Sequence, residues 1–491
     1  MSDEDRRGTG LVVGAVAAVH VLVLLVLAGR YGFHRDELYF VEAGQHLALG
    51  YTDQGPLTPL VARLSQVFGD GPAALRVVPA LASGATVVLA AIIARELGGS
   101  RRAQVLAAAV TAGAGFVLGV GHLLSTATFD LLAWVALLAI AARILRTGEP
   151  RWWLAFGAVT GVALWNKQLV VLLAASLAAG LVVDRRWALL RTRWLLAGGG
   201  LALLLASPTL VWQAANGWPQ LEMADAIAER IGGENRALLL PGQLYLLGPL
   251  LIGFLVAGAR WLAVDAEGRR YRPLLWAWPV ALAATLLSGG RPYYPLALTL
   301  TVVLAGTVAT DRWMRTPSRR RWITAVVALN ALTALPISLP VLPIDWVDDS
   351  PGAALNDQLA ETVGWPELAD DVAAVVAGLP ADERDRAVLL TLSYGEAGAL
   401  DRFGPERDLP PVYSGHNSYW DWRRPTDDGA PVVTVRYPPA LIERHFESCE
   451  EVARVDNGRG IDNEAQDAPI LICRGLRGSW SDVWPTLQRL S

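Results

Sequence analysis

The chain is cut into apolar runs, and that segmentation constrains its fold more than any other feature. A helix needs about 20 mostly apolar residues to cross the hydrocarbon core of a bilayer. Runs of that kind fall at roughly 11–29, 75–97, 103–120, 124–142, 152–166, 168–183, 194–213, 243–262, 274–288, 294–310 and 322–343. The first meets Arg30 and Tyr31 rather than a small-residue cleavage site, so it reads as a span and not as a removable signal. About eleven transmembrane helices are expected, with the pair between Trp152 and Val183 short enough to be one bent segment instead of two.

Charge divides the chain in the same way. Residues 344–491 carry 27 acidic and 13 basic side chains, whereas residues 1–343 carry 19 and 29. With the N-terminus in the cytoplasm, the arginine clusters at 101–102, 143–151, 185–193, 269–272 and 312–321 all fall on the cytoplasmic side, as the positive-inside rule requires. An odd number of spans then exports the acidic tail. The expected organisation is a membrane domain over 1–343, with a first extracytoplasmic loop at about 30–74, followed by an extracytoplasmic domain over 344–491. In the tail, 387–392, 431–435 and 469–473 read as strands, and 366–377 and 441–455 as helices, which makes a small α/β domain. Cys449 and Cys473 both lie in this exported part, where a disulfide persists. Near-exclusive use of arginine over lysine, with abundant alanine, points to a high-GC, bacterial genome.

Several function classes drop out. No Walker pattern, HExxH or CxxC is present, and nothing calls for a nucleic acid. Gly113, Gly115 and Gly119 imitate a nucleotide fingerprint but sit inside an apolar run, where close helix packing accounts for them better. Six scattered histidines give no zinc spacing.

What remains is a set of polar insertions on the outward side. After the first span come Phe33-His34-Arg35-Asp36-Glu37-Leu38-Tyr39-Phe40 and then Gly50-Tyr51-Thr52-Asp53-Gln54-Gly55-Pro56-Leu57. Asp36 and Glu37 lie about 100° apart on a helix, so at most one can point fully into a site. His122 precedes the fourth span and Asp130 lies just inside it. Lys167, the sole lysine in the chain, sits at the tip of the short hairpin, and Arg291 precedes Pro292-Tyr293-Tyr294-Pro295. Each has a plain structural explanation, as a solvated interfacial charge, a helix-start carboxylate or an aromatic anchor. Their gathering on one face favours chemistry there.

Outside a cell there is no nucleotide pool, so group transfer needs a donor carried by the membrane. A sugar on a polyprenyl phosphate fits: its phosphate asks for Lys167 and Arg291, and one carboxylate suffices to take the acceptor proton. A transporter or flippase of lipid-linked sugars is the alternative, together with a non-catalytic glycan-binding membrane protein. The absence of an internal repeat weighs against the first of these, and the clustered ionisable residues against the second.

At Asp36-Glu37, Gly50–Leu57, Asp130, Lys167 and Arg291-Pro-Tyr-Tyr-Pro the sequence resembles family 39 glycosyltransferases of the GT-C superfold, the group of protein O-mannosyltransferases and bacterial aminoarabinose transferases. The resemblance covers most of residues 11–343. It implies a polyprenyl-phosphate-linked sugar donor, an extracytoplasmic acceptor and inversion at the anomeric carbon. It makes Asp36 the general base supported by Glu37, and it puts Asp53, His122, Asp130, Lys167, Arg291, Tyr293 and Tyr294 on the donor side. Relatives commonly carry two prolines where this chain has Gly55-Pro56. Some bind a divalent metal, though no residue here obliges one.

Overall fold

The computed structural model describes residues 3–348 and 356–490, and the chain divides into two compact units. The first comprises residues 1–28, 54–58 and 76–339, and the second residues 29–53, 59–75 and 340–491. This differs from the division expected at residue 343, because most of the first loop groups with the tail.

The first unit is helical. A helix stands at every one of the eleven apolar runs, but they are not eleven equal spans. Among the described residues five are long and apolar enough to cross a membrane: Arg7–Leu27, Pro72–Glu96, Thr126–Thr147, Arg193–Ala215 and Pro317–Ser338. The number is seven when each of two bent pairs is counted as one span, Arg101–Ala112 with Gly115–His122 at 59° and Pro219–Leu247 with Pro249–Val264 at 88°. Trp152–Ala163 and Val170–Val183 form two separate helices of 12 and 14 residues. At 1.5 Å per residue each measures only about 20 Å.

Small residues allow the helices to touch. A Cβ added at Gly258 would strike the Val302 carbonyl and one at Gly306 the Phe254 carbonyl. The helices Ile252–Val264 and Leu296–Asp311 therefore pack backbone to backbone. Gly157 and Gly198 do the same for Trp152–Ala163 and Arg193–Ala215. Of the fingerprint-like glycines, Gly113 lies against Ala331 and Gly115 against Ser338, while Gly119 faces open space. Trp134, Leu138, Ile93 and Leu304 are among the buried side chains of the core.

One helix was not anticipated. Residues 219–242 fall between two apolar runs, because Glu222, Asp225, Glu229, Glu234 and Arg236 break their hydropathy, yet with the start of the next run they form a 29-residue helix over 219–247. Pro219 at its first turn is pre-set for helix, and no glycine pair or internal proline interrupts it before Gly232. Gly248, at φ +121°, ends it within the apolar run that begins at 243.

The second unit is built on a five-stranded sheet of order β2-β1-β3-β5-β4. The strands are β1 Val388–Thr391, β2 Val412–Ser414, β3 Val432–Val435, β4 Phe446–Arg454 and β5 Pro469–Leu476. β1 runs parallel to β2 and β3, while β5 is antiparallel to β3 and β4. Helix Trp365–Ala377 and strands β1, β3 and β5 stand where the sequence placed them. Of the helix expected over 441–455 only the start is helical, Pro439–Ile442 followed by a 3-10 turn over Glu443–His445, and the rest is the edge strand β4. Its glutamates 447, 450 and 451 face solvent, as charges on an exposed sheet edge do, and imitate an amphipathic helix in sequence. Cys449 and Cys473 face each other across β4 and β5 and are disulfide-bonded. Helix Arg35–Gln45 packs on helix Tyr394–Phe403 at two glycines, where an added Cβ at Gly398 would lie 2.9 Å from Leu38 and one at Gly395 3.1 Å from Arg35.

Candidate active site

Asp36 and Glu37 open the helix Arg35–Gln45 and do different work. His34 is the N-cap: its Nδ1 accepts from the Asp36 amide at 3.1 Å, and Glu37 Oε2 accepts from the His34 amide at 2.9 Å. This reciprocal capping box places Glu37, fully buried, at the positive end of the helix. Asp36 points elsewhere, with its side chain one-third exposed.

Asp36 Oδ1 accepts a hydrogen bond from the Tyr394 hydroxyl at 2.8 Å. Tyr394 is itself fixed, because its ring stacks on His416 at 4.7 Å and lies 4.8 Å from Tyr39, and its amide donates to His416 Nδ1 at 3.2 Å. Burial, and then the neighbouring Asp36 charge, push the Tyr394 phenol well above its ordinary range, so it remains a donor. Arg35 is drawn to Glu464, which Arg436 also contacts at 2.8 Å while contacting Glu396 at 2.7 Å. Burial alone would raise the Glu464 carboxyl, but Arg35 and Arg436 outweigh it and hold it at about 2. Asp53 accepts from the Tyr39 hydroxyl at 2.6 Å.

The first unit carries the second group of residues. Lys167 lies in the break between Trp152–Ala163 and Val170–Val183. Its Nζ stands 3.4 Å from the Tyr293 hydroxyl, 5.8 Å from the Tyr293 ring and 5.2 Å from the Tyr294 ring. Asp130 and Arg291 also interact electrostatically with it. Asp130 is 7% exposed, and its Oδ1 has no partner among the described residues. Five of the residues singled out by sequence thus converge: Asp130, Lys167, Arg291, Tyr293 and Tyr294. His122 instead meets Arg76, Nη1 to Nε2 at 3.4 Å. Asp36, Glu37 and Asp53 belong to the second unit.

The residues that hold this cluster were missed by sequence reasoning. The Gly55 amide donates to the Asn166 carbonyl at 3.0 Å and the Leu57 amide to that of Trp165 at 2.9 Å, so residues 55–57 pair with the lysine-bearing turn. A Cβ at Gly55 would run into the Trp165 carbonyl, so the close approach of the two segments requires glycine here. Thr58 Oγ1 donates to Asn166 Oδ1 at 2.8 Å, and Asn166 Nδ2 donates to the Thr126 carbonyl at 2.8 Å, one helical turn before Asp130. The Arg291–Tyr294 loop hangs from the unanticipated helix: Asn235 Nδ2 donates to the Gly289 carbonyl at 2.8 Å and Gln243 Nε2 to that of Pro292 at 2.6 Å. Phe116 stacks on Tyr293 at 5.4 Å. The Gln54 amide, 1% exposed, has neither polar atom partnered among the described residues. Only the Gln54-Gly55 step in a polar loop could have signalled these contacts beforehand. Among the described residues no three His, Cys, Asp or Glu side chains gather as a metal-binding set.

Residues 53–212 match the family of dolichyl-phosphate-mannose-protein mannosyltransferases. No curated protein matches the chain in sequence. Among solved structures, it is similar to ArnT from Cupriavidus metallidurans bound to undecaprenyl phosphate, with TM-score 0.60 and 16% identity over 94% of this chain and 98% of that one. The apo state of the same enzyme gives 0.55 and 18% over 95% and 98%. The arabinofuranosyltransferase AftD from Mycobacteria gives 0.52 and 16%, over 96% of this chain and 40% of that one. The chain is a multi-pass membrane protein with the GT-C glycosyltransferase fold, and across residues 53–212 it matches the mannosyltransferase family of that superfold.

Proposed function

We propose that the protein is an inverting membrane glycosyltransferase that moves a sugar from a polyprenyl phosphate to a hydroxyl of an extracytoplasmic acceptor. The observation that carries this reading is the convergence of Lys167, Asp130, Arg291, Tyr293 and Tyr294 inside a unit of GT-C fold. A lysine ammonium is a compact point charge suited to a phosphate oxygen, and Arg291 adds a second positive group. Together they match the charge of the leaving polyprenyl phosphate, so no acid has to protonate it.

The acceptor oxygen attacks the anomeric carbon, the bond from that carbon to the phosphate oxygen breaks, and the hydroxyl proton passes to Asp36. One carboxylate in this role gives inversion. Asp36 is the base because it is the exposed carboxylate of the pair, whereas Glu37 is spent on the capping box. Asp53, through Tyr39, stiffens the wall behind Asp36. In this reading residues 1–343 form the transferase domain, the N-terminus is cytoplasmic, and residues 344–491 lie outside the cell.

Purified protein given a polyprenyl-phospho-sugar tests the reading. Transfer or slow hydrolysis of the donor is expected, abolished by Asp36→Asn without loss of folding. Donor movement between leaflets with no sugar released would refute it.

A further inference from the structure

The second unit holds a cavity of about 320 Å³ between helix Arg35–Gln45, residues 65–75 and helix Tyr394–Phe403. That size is at the low end of small-ligand sites, which run to about 1,000 Å³. Its walls are of two kinds. Phe33, Leu38 and Leu75 offer apolar surface, while Ser65, Glu42 and Asp401 offer hydrogen-bonding groups.

Ser65 and Glu42 keep hydrogen-bonding capacity unspent, while both Asp401 oxygens already have partners. Ser65 is 1% exposed and its Oγ has no partner among the described residues, an unfavourable state for a buried hydroxyl. The contacts of Glu42, with Arg423 Nη2 at 2.9 Å and His46 Nε2 at 3.1 Å, both fall on Oε1, which leaves Oε2 an open acceptor. Asp401 shares the same Arg423 nitrogen at 2.9 Å and accepts from the Tyr419 hydroxyl at 2.9 Å. One guanidinium therefore fixes two carboxylates in place, and neither can swing away from the cavity at low cost.

The charge balance selects the ligand. Asp70 and Glu406 add to Glu42 and Asp401, against Arg402 and the shared Arg423. Although burial raises the Glu42 and Asp401 carboxyls, the balance stays on the negative side and disfavours an anionic ligand. Fixed acceptors, one unpaired hydroxyl and apolar side walls suit a compact molecule with many hydroxyl donors and apolar ring faces. We propose that this cavity binds a neutral or amino-bearing saccharide unit of the acceptor, hydrogen-bonded to Ser65, Glu42 and Asp401. Its being the acceptor rests on the transferase reading, whereas the saccharide chemistry rests on the cavity.

The full-length protein in lipid nanodiscs, titrated with maltotriose, chitosan trisaccharide and trigalacturonate, tests this. Saturation-transfer NMR is expected to show maltotriose or the amino trisaccharide bound and trigalacturonate not bound. Ser65→Ala should weaken binding about fivefold, the equivalent of one neutral hydrogen bond. Gly71→Trp should weaken it at least tenfold; a Cβ at Gly71 meets nothing within 4 Å, so the ring can fill the cavity mouth without strain. Unchanged melting temperatures show that both variants fold. Failure of all three sugars to bind, equal binding of trigalacturonate, or binding indifferent to both substitutions would overturn the proposal. Donor hydrolysis by the unaltered protein separates the two readings. If it occurs without saccharide binding, the cavity assignment alone fails; if it is absent while saccharide binds, the transferase reading alone fails.

Discussion

Removing the Tyr394 hydroxyl is the sharpest perturbation of the proposed base. Tyr394→Phe keeps the ring that stacks on His416 and Tyr39 and deletes only the donor held 2.8 Å from Asp36 Oδ1. A hydrogen bond to a charged group is worth about 1.5–3 kcal/mol. Asp36 is one-third exposed, so water replaces part of that bond, and roughly 1.4 kcal/mol is the expected loss. The donor holds the carboxylate where it can take the acceptor proton, and without it the carboxylate is free to turn away. kcat should therefore fall by about tenfold, since 1.36 kcal/mol corresponds to a factor of ten in rate. KM for the lipid donor, which the proposed reading assigns to Lys167 and Arg291, should stay within about twofold. The assay is sugar transfer from a polyprenyl-phospho-sugar with the melting temperature followed in parallel. A stably folded variant with unchanged kcat would refute the role of Tyr394 in positioning Asp36.

Lys167→Ala should reduce kcat/KM for the donor by about 10–100-fold, and Lys167→Arg should recover no more than a tenth of the activity, since a planar fork cannot replace a point charge between two tyrosines; donor titration checks both. Gly55→Ala should cost about 1–3 kcal/mol of stability and raise the donor KM, because the methyl group drives the 55–57 segment off the Trp165 carbonyl; a thermal melt alongside kinetics reads both effects. Glu361 is buried and its carboxyl is pushed up to about 7, chiefly by burial, with Arg35 opposing and Glu464 adding to the shift. The native state then holds that proton more tightly than the unfolded chain, so stability falls as pH rises from about 4.5 through 7. Glu361→Gln should flatten this slope and stabilise the second unit at pH 8 by about 1–3 kcal/mol, measured by denaturant melts at pH 5 and pH 8.

The helical class was legible because the bilayer demands long apolar runs, and a helix stands at each one. Lengths were less legible. Hydropathy reports where apolar residues are, not where a helix stops, so Trp152–Ala163 and Val170–Val183 merged into a doubtful pair until the turn at Lys167 separated them. The converse failure is Pro219–Leu247, a helix that its acids, Gly232-Gly233 and Pro241 all hid, so that neither hydropathy nor propensity announced it. Of the candidate site, the converging residues Asp130, Lys167, Arg291, Tyr293 and Tyr294 stood out in the sequence, since ionisable groups are sparse in an oily chain. Asn166, Thr58, Asn235 and Gln243 did not, because amides and hydroxyls that hold backbone carbonyls leave no periodic mark.

The allegiance of the first loop is the least legible feature and bears most on mechanism. Nothing in residues 30–53 announces that Leu38 will lie against Gly398 or that Asp36 will meet Tyr394, more than 350 positions away. The cue lies in the partner, where Tyr394-Gly-Glu-Ala-Gly-Ala clears two side chains from one helix face, and Ser393 with Glu396 closes a capping box at its start. A helix stripped of side chains on one face serves to receive another helix at close range. By supplying Tyr394 the tail helps to fix the position of Asp36, and a chain ending before β1 would keep Asp36 but lose the hydroxyl that donates to its Oδ1.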